Sequence, residues 1–279
     1  MVKLLIGLLV PEEGEIKIFN RKTNLITNTF LRGIGVSFED PDFPPWAIVF
    51  DYLVFAGRAR GLKREDAEAQ AVELLKFFEL DKKATVKASS LSAGQKKRYS
   101  VVLALIGLPK LLILDEPTAN LDVQFRIKLL EFLKTLSDTY EVKILILSHV
   151  LAELERFSDE IVIIHKGELK YQATVSEIYQ KEFPIYYALK GPLSEIFSLM
   201  EREKEFFNKN PHVKLDNKIK NRLLNRPISQ ELVSVPIIIK TPEALKLLNQ
   251  AIKEQGLSVA IVQEKSLLEQ VFLKVIKDR

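Results

Sequence analysis

The sequence predicts an α/β protein followed by a smaller α+β domain. Three observations carry this reading. Apolar runs of strand length alternate with stretches of helical periodicity through most of the chain. One run, Leu111 to Leu114, is continuously apolar, as in a strand buried on both faces of a parallel sheet. Near residue 180 the pattern changes, and long polar stretches separate the remaining elements.

The elements follow in order. Leu4, Leu5, Leu8 and Leu9 are spaced as on one helix face, which predicts a helix over Met1 to Leu9, broken by Pro11 and Gly14. No Ser, Thr, Asp or Asn precedes it to cap its first amides. Lys3 before apolar residues resembles the front of a signal peptide. That run is short, though, interrupted by Gly7, and it ends in Pro-Glu-Glu without a small-residue cleavage site. Strands are predicted at Glu15 to Phe19 and Ile34 to Phe38, and helices at Ile48 to Arg60, Arg64 to Leu80 and Ser92 to Leu108. The strand beginning at Leu111 comes next, then helix Val123 to Leu136, strand Lys143 to Leu147, helix Val150 to Phe157 and strand Glu160 to His165. Beyond the boundary the reading is helix 193–208, a polar stretch, strand 232–239, helix 242–255, strand 257–263 and helix 266–277. The domains are thus 1–180, with a helical insert over about 45–105, and 181–279.

Composition limits the function. A chain of 279 residues that is 47% hydrophobic can bury a full core. It has no cysteine, which excludes disulfides and thiolate metal sites and fits a cytosolic protein. The longest apolar stretch, Val101 to Leu114, is interrupted by Pro109 and Lys110, so no segment is expected to span a bilayer. The net charge of +4 comes from 41 basic and 37 acidic residues, mostly interleaved, and does not point to nucleic acid. The excess is most visible between Lys204 and Arg226, where a solvated face is expected.

Four stretches carry chemistry. Leu111 to Glu116, "LLILDE", ends a buried strand in two carboxylates, and functional groups of open α/β sheets gather at such ends. Asp115 there suits Mg2+, held mostly through water, and Glu116 suits polarisation of an attacking water; a merely acidic strand end is the alternative. In "SSLSAGQ", Ser92 and Gly94 open a long helix whose free amides suit a phosphate, while a plain serine cap explains the same residues. His149 follows the next apolar strand at the same sheet end, placed for a phosphate or a water, or as an ordinary strand-end histidine. Glu39 is an acid after an earlier strand, followed by Phe43, Trp46, Phe50 and Tyr52 in and after a Pro-rich loop.

The order of these stretches resembles the ABC ATPase family, a branch of the P-loop NTPases, over about residues 1–175. "LSAGQ", Leu91, Ser92, Ala93, Gly94 and Gln95, resembles the signature motif. "LLILDE" resembles Walker B, "NLD" at 120–122 the D-loop, and His149 the switch histidine. Glu39 stands where the family usually has the glutamine of the Q-loop. "VKLLIGLLVPEEGEI" looks like the segment just after the P-loop, and no G-x-x-x-x-G-K-[ST] occurs in these residues. The fold implied is an ABC ATPase core with a helical insert, truncated at its N-terminus. A start upstream of Met1 is expected over a real loss, because the central strand before the P-loop would leave buried backbone groups unpaired. The closing "SLLEQVFLKVI" resembles, more weakly, the accessory tail of exporter subunits.

The resemblance implies an ATP-binding and ATP-hydrolysing subunit of an ABC transporter, an exporter, with ATP and Mg2+ as cofactors. It implies a transmembrane permease as partner, a homodimer or heterodimer with another ABC ATPase subunit, and a place on the cytoplasmic face of the membrane. Glu116 would be the general base and His149 the γ-phosphate and water ligand. Asp115 and Glu39 would serve the metal, and Leu91 to Gln95 with Asp122 would serve the nucleotide across the dimer. As written, without Walker A, the chain is expected to be inactive alone. A non-catalytic partner that donates its signature motif is the alternative. A soluble ABC protein of DNA repair or translation is a third reading, disfavoured because neither a long coiled-coil insertion nor a second ATPase domain is present.

Overall fold

The computed structural model describes residues 1–23, 28–180, 185–202, 213–215, 232–239, 242–263 and 266–277. The chain packs as two units, Met1–His149 and Val150–Arg279.

The first unit contains α1 (Val2–Leu5), β1 (Lys17–Ile18), β2 (Arg21–Lys22), α2 (Asn28–Leu31), β3 (Ile34–Ser37), α3 (Val49–Ala59), α4 (Arg64–Phe77), α5 (Ala93–Leu105), β4 (Leu111–Asp115), α6 (Val123–Tyr140) and β5 (Lys143–Leu147). Strands β3, β4 and β5 form a parallel sheet in that order. Leu112, Ile113 and Leu114 of the central strand are fully buried, as the unbroken apolar run predicts. Strand β5 pairs with β4 alone among the described residues, and Lys143 and Leu145 on it are exposed.

Helix α5 lies directly on β3. A Cβ on Gly35 would fall 2.0 Å from the Ala104 carbonyl oxygen, so a larger residue would push the helix away. Buried Ser37 and Ser100 share a hydrogen bond of 2.8 Å across the same contact. The helical insert, α3 and α4, is fixed to α5 by two polar ties within one apolar core. The fully buried Tyr99 hydroxyl donates to the Val49 carbonyl at 2.7 Å, and burial pushes its pKa up. The Arg60 guanidinium donates to the Ala104 and Ile106 carbonyls at 2.7 and 2.6 Å, satisfying free carbonyls at the end of α5. Burial lowers the Arg60 pKa to about 10.

Several predicted elements are shorter than expected, two of them near the start of the chain. The first helix stops at Leu5, and Gly7 turns the chain at φ +75°. The strand after it is cut to β1 because Phe19 and Asn20, at φ 48° and 62°, turn the chain into β2. Conversely, α6 continues past Leu136 to Tyr140, where Glu141 ends it in a left-handed conformation.

The second unit contains α7 (Leu151–Phe157), β6 (Glu160–His165), β7 (Glu168–Thr174), α8 (Val175–Gln180), β8 (Ile185–Pro192), α9 (Leu193–Arg202), β9 (Val213–Leu215), β10 (Leu232–Ile239), α10 (Pro242–Glu254), β11 (Ala260–Gln263) and α11 (Leu267–Lys277). Strands β8 to β11 form an antiparallel sheet of order β11-β8-β10-β9. With α9 and α10 this gives the βαββαβ arrangement of a ferredoxin-like module. Its core joins Leu189, Val235, Ile237 and Ile239 on the sheet to Ile196, Leu199 and Leu248 on the helices. A second core joins Ile161, Ile163, Ala173 and Ile178 to Leu267, Leu268 and Val271 of α11. The second unit thus takes in the β6-β7 hairpin, which α11 returns to cover. The basic stretch 204–226 lies outside the described residues except for β9.

Candidate active site

The parallel register of β4 and β5 sets Asp115 opposite Leu147, so Glu116 and Ser148–His149 leave the sheet side by side. The Glu116 amide donates to the Leu147 carbonyl at 2.9 Å. Glu116 itself sits at φ 46°, a left-handed conformation costing about 1–3 kcal/mol that persists where the surroundings enforce it. Its Oε1 accepts from the His149 amide at 2.9 Å and lies 2.8 Å from His149 Nδ1. Its Oε2 accepts from the Ser148 hydroxyl at 3.3 Å. The Glu116 side chain is 14% exposed and that of His149 82% exposed. The carboxylate is thus aimed by two neighbours while the imidazole stands in solvent.

Lys97 lies beneath this end of the sheet. It is 2% exposed, and its ammonium donates to the carbonyls of Phe38, Glu39 and Asp115 at 2.9, 3.0 and 2.7 Å. Burial lowers its pKa, and the carboxylates of Asp115, Glu39, Glu116 and Asp40 oppose that shift. One cation therefore joins the backbone after β3 to the end of β4, and places Glu39 and Asp115 at the same sheet end.

The LSAGQ stretch makes a second group. Ser92 caps α5 in a reciprocal pair: its hydroxyl accepts from the Gln95 amide at 3.3 Å, and the Gln95 side-chain oxygen accepts from the Ser92 amide at 3.0 Å. Leu91 is buried, whereas Ser92 and Ala93 are exposed. A Cβ on Gly94 would come within 2.8 Å of the Asn120 carbonyl oxygen, so this glycine lets the NLD turn lie against the start of α5. Asp122 caps α6 by accepting from the Phe125 amide at 2.9 Å, and its other oxygen accepts from Arg98 at 2.8 Å. Arg98 also reaches Glu79 at 2.6 Å and stacks 3.7 Å over the Phe125 ring. Adjacent residues on α5, Lys97 and Arg98, thus serve the two groups separately.

A plain serine cap, weighed above, is visible in the geometry, and it leaves the Ser92 hydroxyl proton free to donate. Among the described residues no three His, Cys, Asp or Glu side chains form a metal cage. The hard oxygens of Asp115 and Glu39 fit Mg2+ all the same, because that ion is bound through one or two carboxylates, water and substrate phosphates. Sequence reading missed Ser148, Lys97 and Arg98. The available signal was three adjacent cations, Lys96 to Arg98, at the start of a helix whose later residues are mostly buried. Of the aromatic loop, Phe43 packs edge-on against Tyr99 with ring centres 5.1 Å apart, while Trp46 is 72% exposed.

Residues 1–119 match the sequence profile of the family described as "ABC transporter". Over these residues the chain is similar to the ATP-binding domain of ABC transporters. Among similar proteins, an uncharacterized ABC transporter ATP-binding protein, YxlF of Bacillus subtilis (strain 168), is 29% identical over 278 residues, covering 99% of this chain and 85% of that protein. The molybdenum import ATP-binding protein ModC of Vibrio vulnificus (strain YJ016) is 30% identical over 189 residues, 65% of this chain and 49% of that protein. Among solved structures, a dimeric post-hydrolysis state of the ATP-binding cassette MJ0796 bound to ADP and Pi superimposes with TM-score 0.58 at 25% identity. That match covers 62% of this chain and 78% of the cassette. The fold of the first unit is accordingly that of an ABC ATPase cassette, a P-loop NTPase. Among the described residues no helix is long and apolar enough to cross a membrane.

Proposed function

We propose that this chain is an ATP-hydrolysing subunit of an ABC transporter, with Glu116 as the general base. The observation that carries the reading is the Glu116 carboxylate, aimed by the His149 amide and the Ser148 hydroxyl from the neighbouring strand end. A carboxylate so placed can take a proton from water while the exposed His149 ring holds the water or the γ-phosphate. Asp115 and Glu39 would hold Mg2+, which would supply neutralisation of phosphate charge. The Ser92 hydroxyl and Gly94 amide serve a nucleotide held by a second ATPase subunit in a homodimer or heterodimer, with Leu91, Ala93 and Gln95 shaping that surface. Asp122, tied to α5 by Arg98, connects the two sites. Exposed Trp46 suits contact with a transmembrane permease, and the reading includes a subunit on the cytoplasmic face of the membrane.

Export is the finer part of the proposal. It rests on the closing Leu-Glu-Gln-Val-Phe stretch, whose Leu268 and Val271 pack in the second unit; a similar protein, ModC, is named for import. Residues 1–279 contain no G-x-x-x-x-G-K-[ST]. Residues 1–279 alone should therefore not turn over ATP. Each phosphate loses charge-assisted hydrogen bonds worth about 1.5–3 kcal/mol apiece. Steady ATPase activity in purified 1–279 that disappears in Glu116→Gln would contradict this. A second reading, a non-catalytic subunit that lends LSAGQ to a complete partner, is favoured by the intact capping pair of Ser92 and Gln95. It predicts that Ser92→Ala in this chain impairs hydrolysis by the partner while Glu116→Gln here changes nothing.

A further inference from the structure

The buried ammonium of Lys97 has no role in the chemistry above, yet it touches both strand ends that carry candidate metal ligands. We propose that Lys97 is a positioning residue: its ammonium clamps the backbone of Phe38 and Glu39 to that of Asp115, and so holds the Glu39 and Asp115 carboxylates in one mutual arrangement. This deepens the reading of Glu39 and Asp115 as metal-facing residues and rests on it.

The geometry is demanding. An ammonium has three donors, and all three find carbonyl oxygens, two after β3 and one at the end of β4. Backbone carbonyls, not carboxylates, satisfy the charge. The four nearby carboxylates act through space, so the side chains of Glu39 and Asp115 stay free for other ligands. The helix bearing Lys97 cannot shift to relieve a lost contact. It is pinned to β3 by the close approach at Gly35 and by the Ser37–Ser100 pair. The loop that begins at Glu39 is exposed and lies outside the sheet. Without the ammonium, that loop should open while the sheet stays intact.

Two arms test this. In residues 1–279, a glutamate-specific protease reports on the Glu39–Asp40 bond, with Glu73 on α4 as the internal control for global opening. Lys97→Met should speed cleavage at Glu39 at least about tenfold, as loss of one hydrogen bond to a charged donor predicts, and leave Glu73 unchanged. Lys97→Gln keeps two donors and should fall between; it carries the test alone if Lys97→Met does not fold. In the permease-assembled, ATP-hydrolysing subunit, Lys97→Met should lower kcat about tenfold with KM for ATP held, and Lys97→Gln should recover part of it. Equal acceleration at Glu39 and Glu73, or none at either, overturns the clamp. Faster cleavage at Glu39 with kcat unchanged overturns its positioning role. A failure of the catalytic reading itself shows separately, as a Glu116→Gln subunit of normal rate in the same assay.

Discussion

The two units of this chain spend their polar side chains differently. In the first, side-chain bonds span long stretches of sequence: Glu116 to Ser148 and His149, Lys97 to Phe38, Glu39 and Asp115, Arg98 to Glu79 and Asp122, Tyr99 to Val49. In the second, among the described residues, several run within one turn, such as Thr174 with Glu177, Gln250 with Glu254 and Ser266 with Glu269. Longer bonds run from the Leu268 amide to Glu155, at the start of α11, and from the Ser258 amide to Glu195 on α9. Long-range polar ties fix functional groups of separate elements relative to one another. Local ones cap helices and leave positioning to apolar packing. The first unit is therefore built to hold chemistry, and the second to hold shape.

That contrast can be broken in four places. Leu189→Ala, in the sheet core of the second unit, should cost about 2–5 kcal/mol of stability. Calorimetry should show the loss while kcat of the folded subunit stays the same; a lower kcat in the folded fraction would bring the second unit into the chemistry. His149→Ala should lower the hydrolysis rate about 10²–10³-fold, as for removal of one donor aimed at a reacting oxygen, without lowering the melting temperature, because the ring is exposed. A stability loss without a rate loss would make it a structural residue. Trp46→Ala should weaken assembly with the permease by about 2 kcal/mol, as for an aromatic anchor, with melting of the free subunit unchanged. A large drop in melting temperature with unchanged assembly would show that the docking surface lies elsewhere.

The smallest effect concerns pH. Arg98 holds the carboxyls of Glu79 and Asp122 below their ordinary values, through its hydrogen bond to Glu79 and by reinforcing the amide bond that dominates at Asp122. A lowered folded pKa gives stability that is present above the unfolded value and lost as pH falls through the folded one. Wild type should therefore lose stability more steeply than Arg98→Gln below pH 4.5, the ordinary value for Glu79. Both carboxylates are largely exposed, so screening keeps the difference small. Parallel acid-melting curves would show that the Arg98 ties contribute only geometry.

Much of the first unit was legible in its sequence because its signals are local. The apolar run before Asp115 gives a buried strand, and β5 and β6 appear at the bounds their apolar patterns predict. Strands β7 and β8 were not assigned. Each mixes Lys or Tyr with apolar residues, and only the hairpin and sheet partners make them strands. One long-range contact of the second unit left no local sign for a related reason. The reach of α11 back to β6 and β7 is a contact between distant segments, and no local pattern records it. Within the site, the sequence showed which acids and histidine end strands. It could not show that Glu116 turns through a left-handed backbone to meet His149, or that Lys97 points inward, because both depend on neighbouring strands and helices.

The central claim is that Glu116 does chemistry and does not hold nucleotide. The direct measurement is single-turnover hydrolysis by the permease-assembled subunit, supplied with a P-loop ahead of Met1 and carrying Glu116→Gln, alongside ATP affinity. The amide keeps the shape and acceptor of the carboxylate but cannot take a proton. The rate should fall about 10²–10⁴-fold, the range for loss of a general base, with ATP affinity retained and the nucleotide-bound dimer longer-lived. An unchanged rate, or a loss of affinity that accounts for the whole defect, would contradict the assignment.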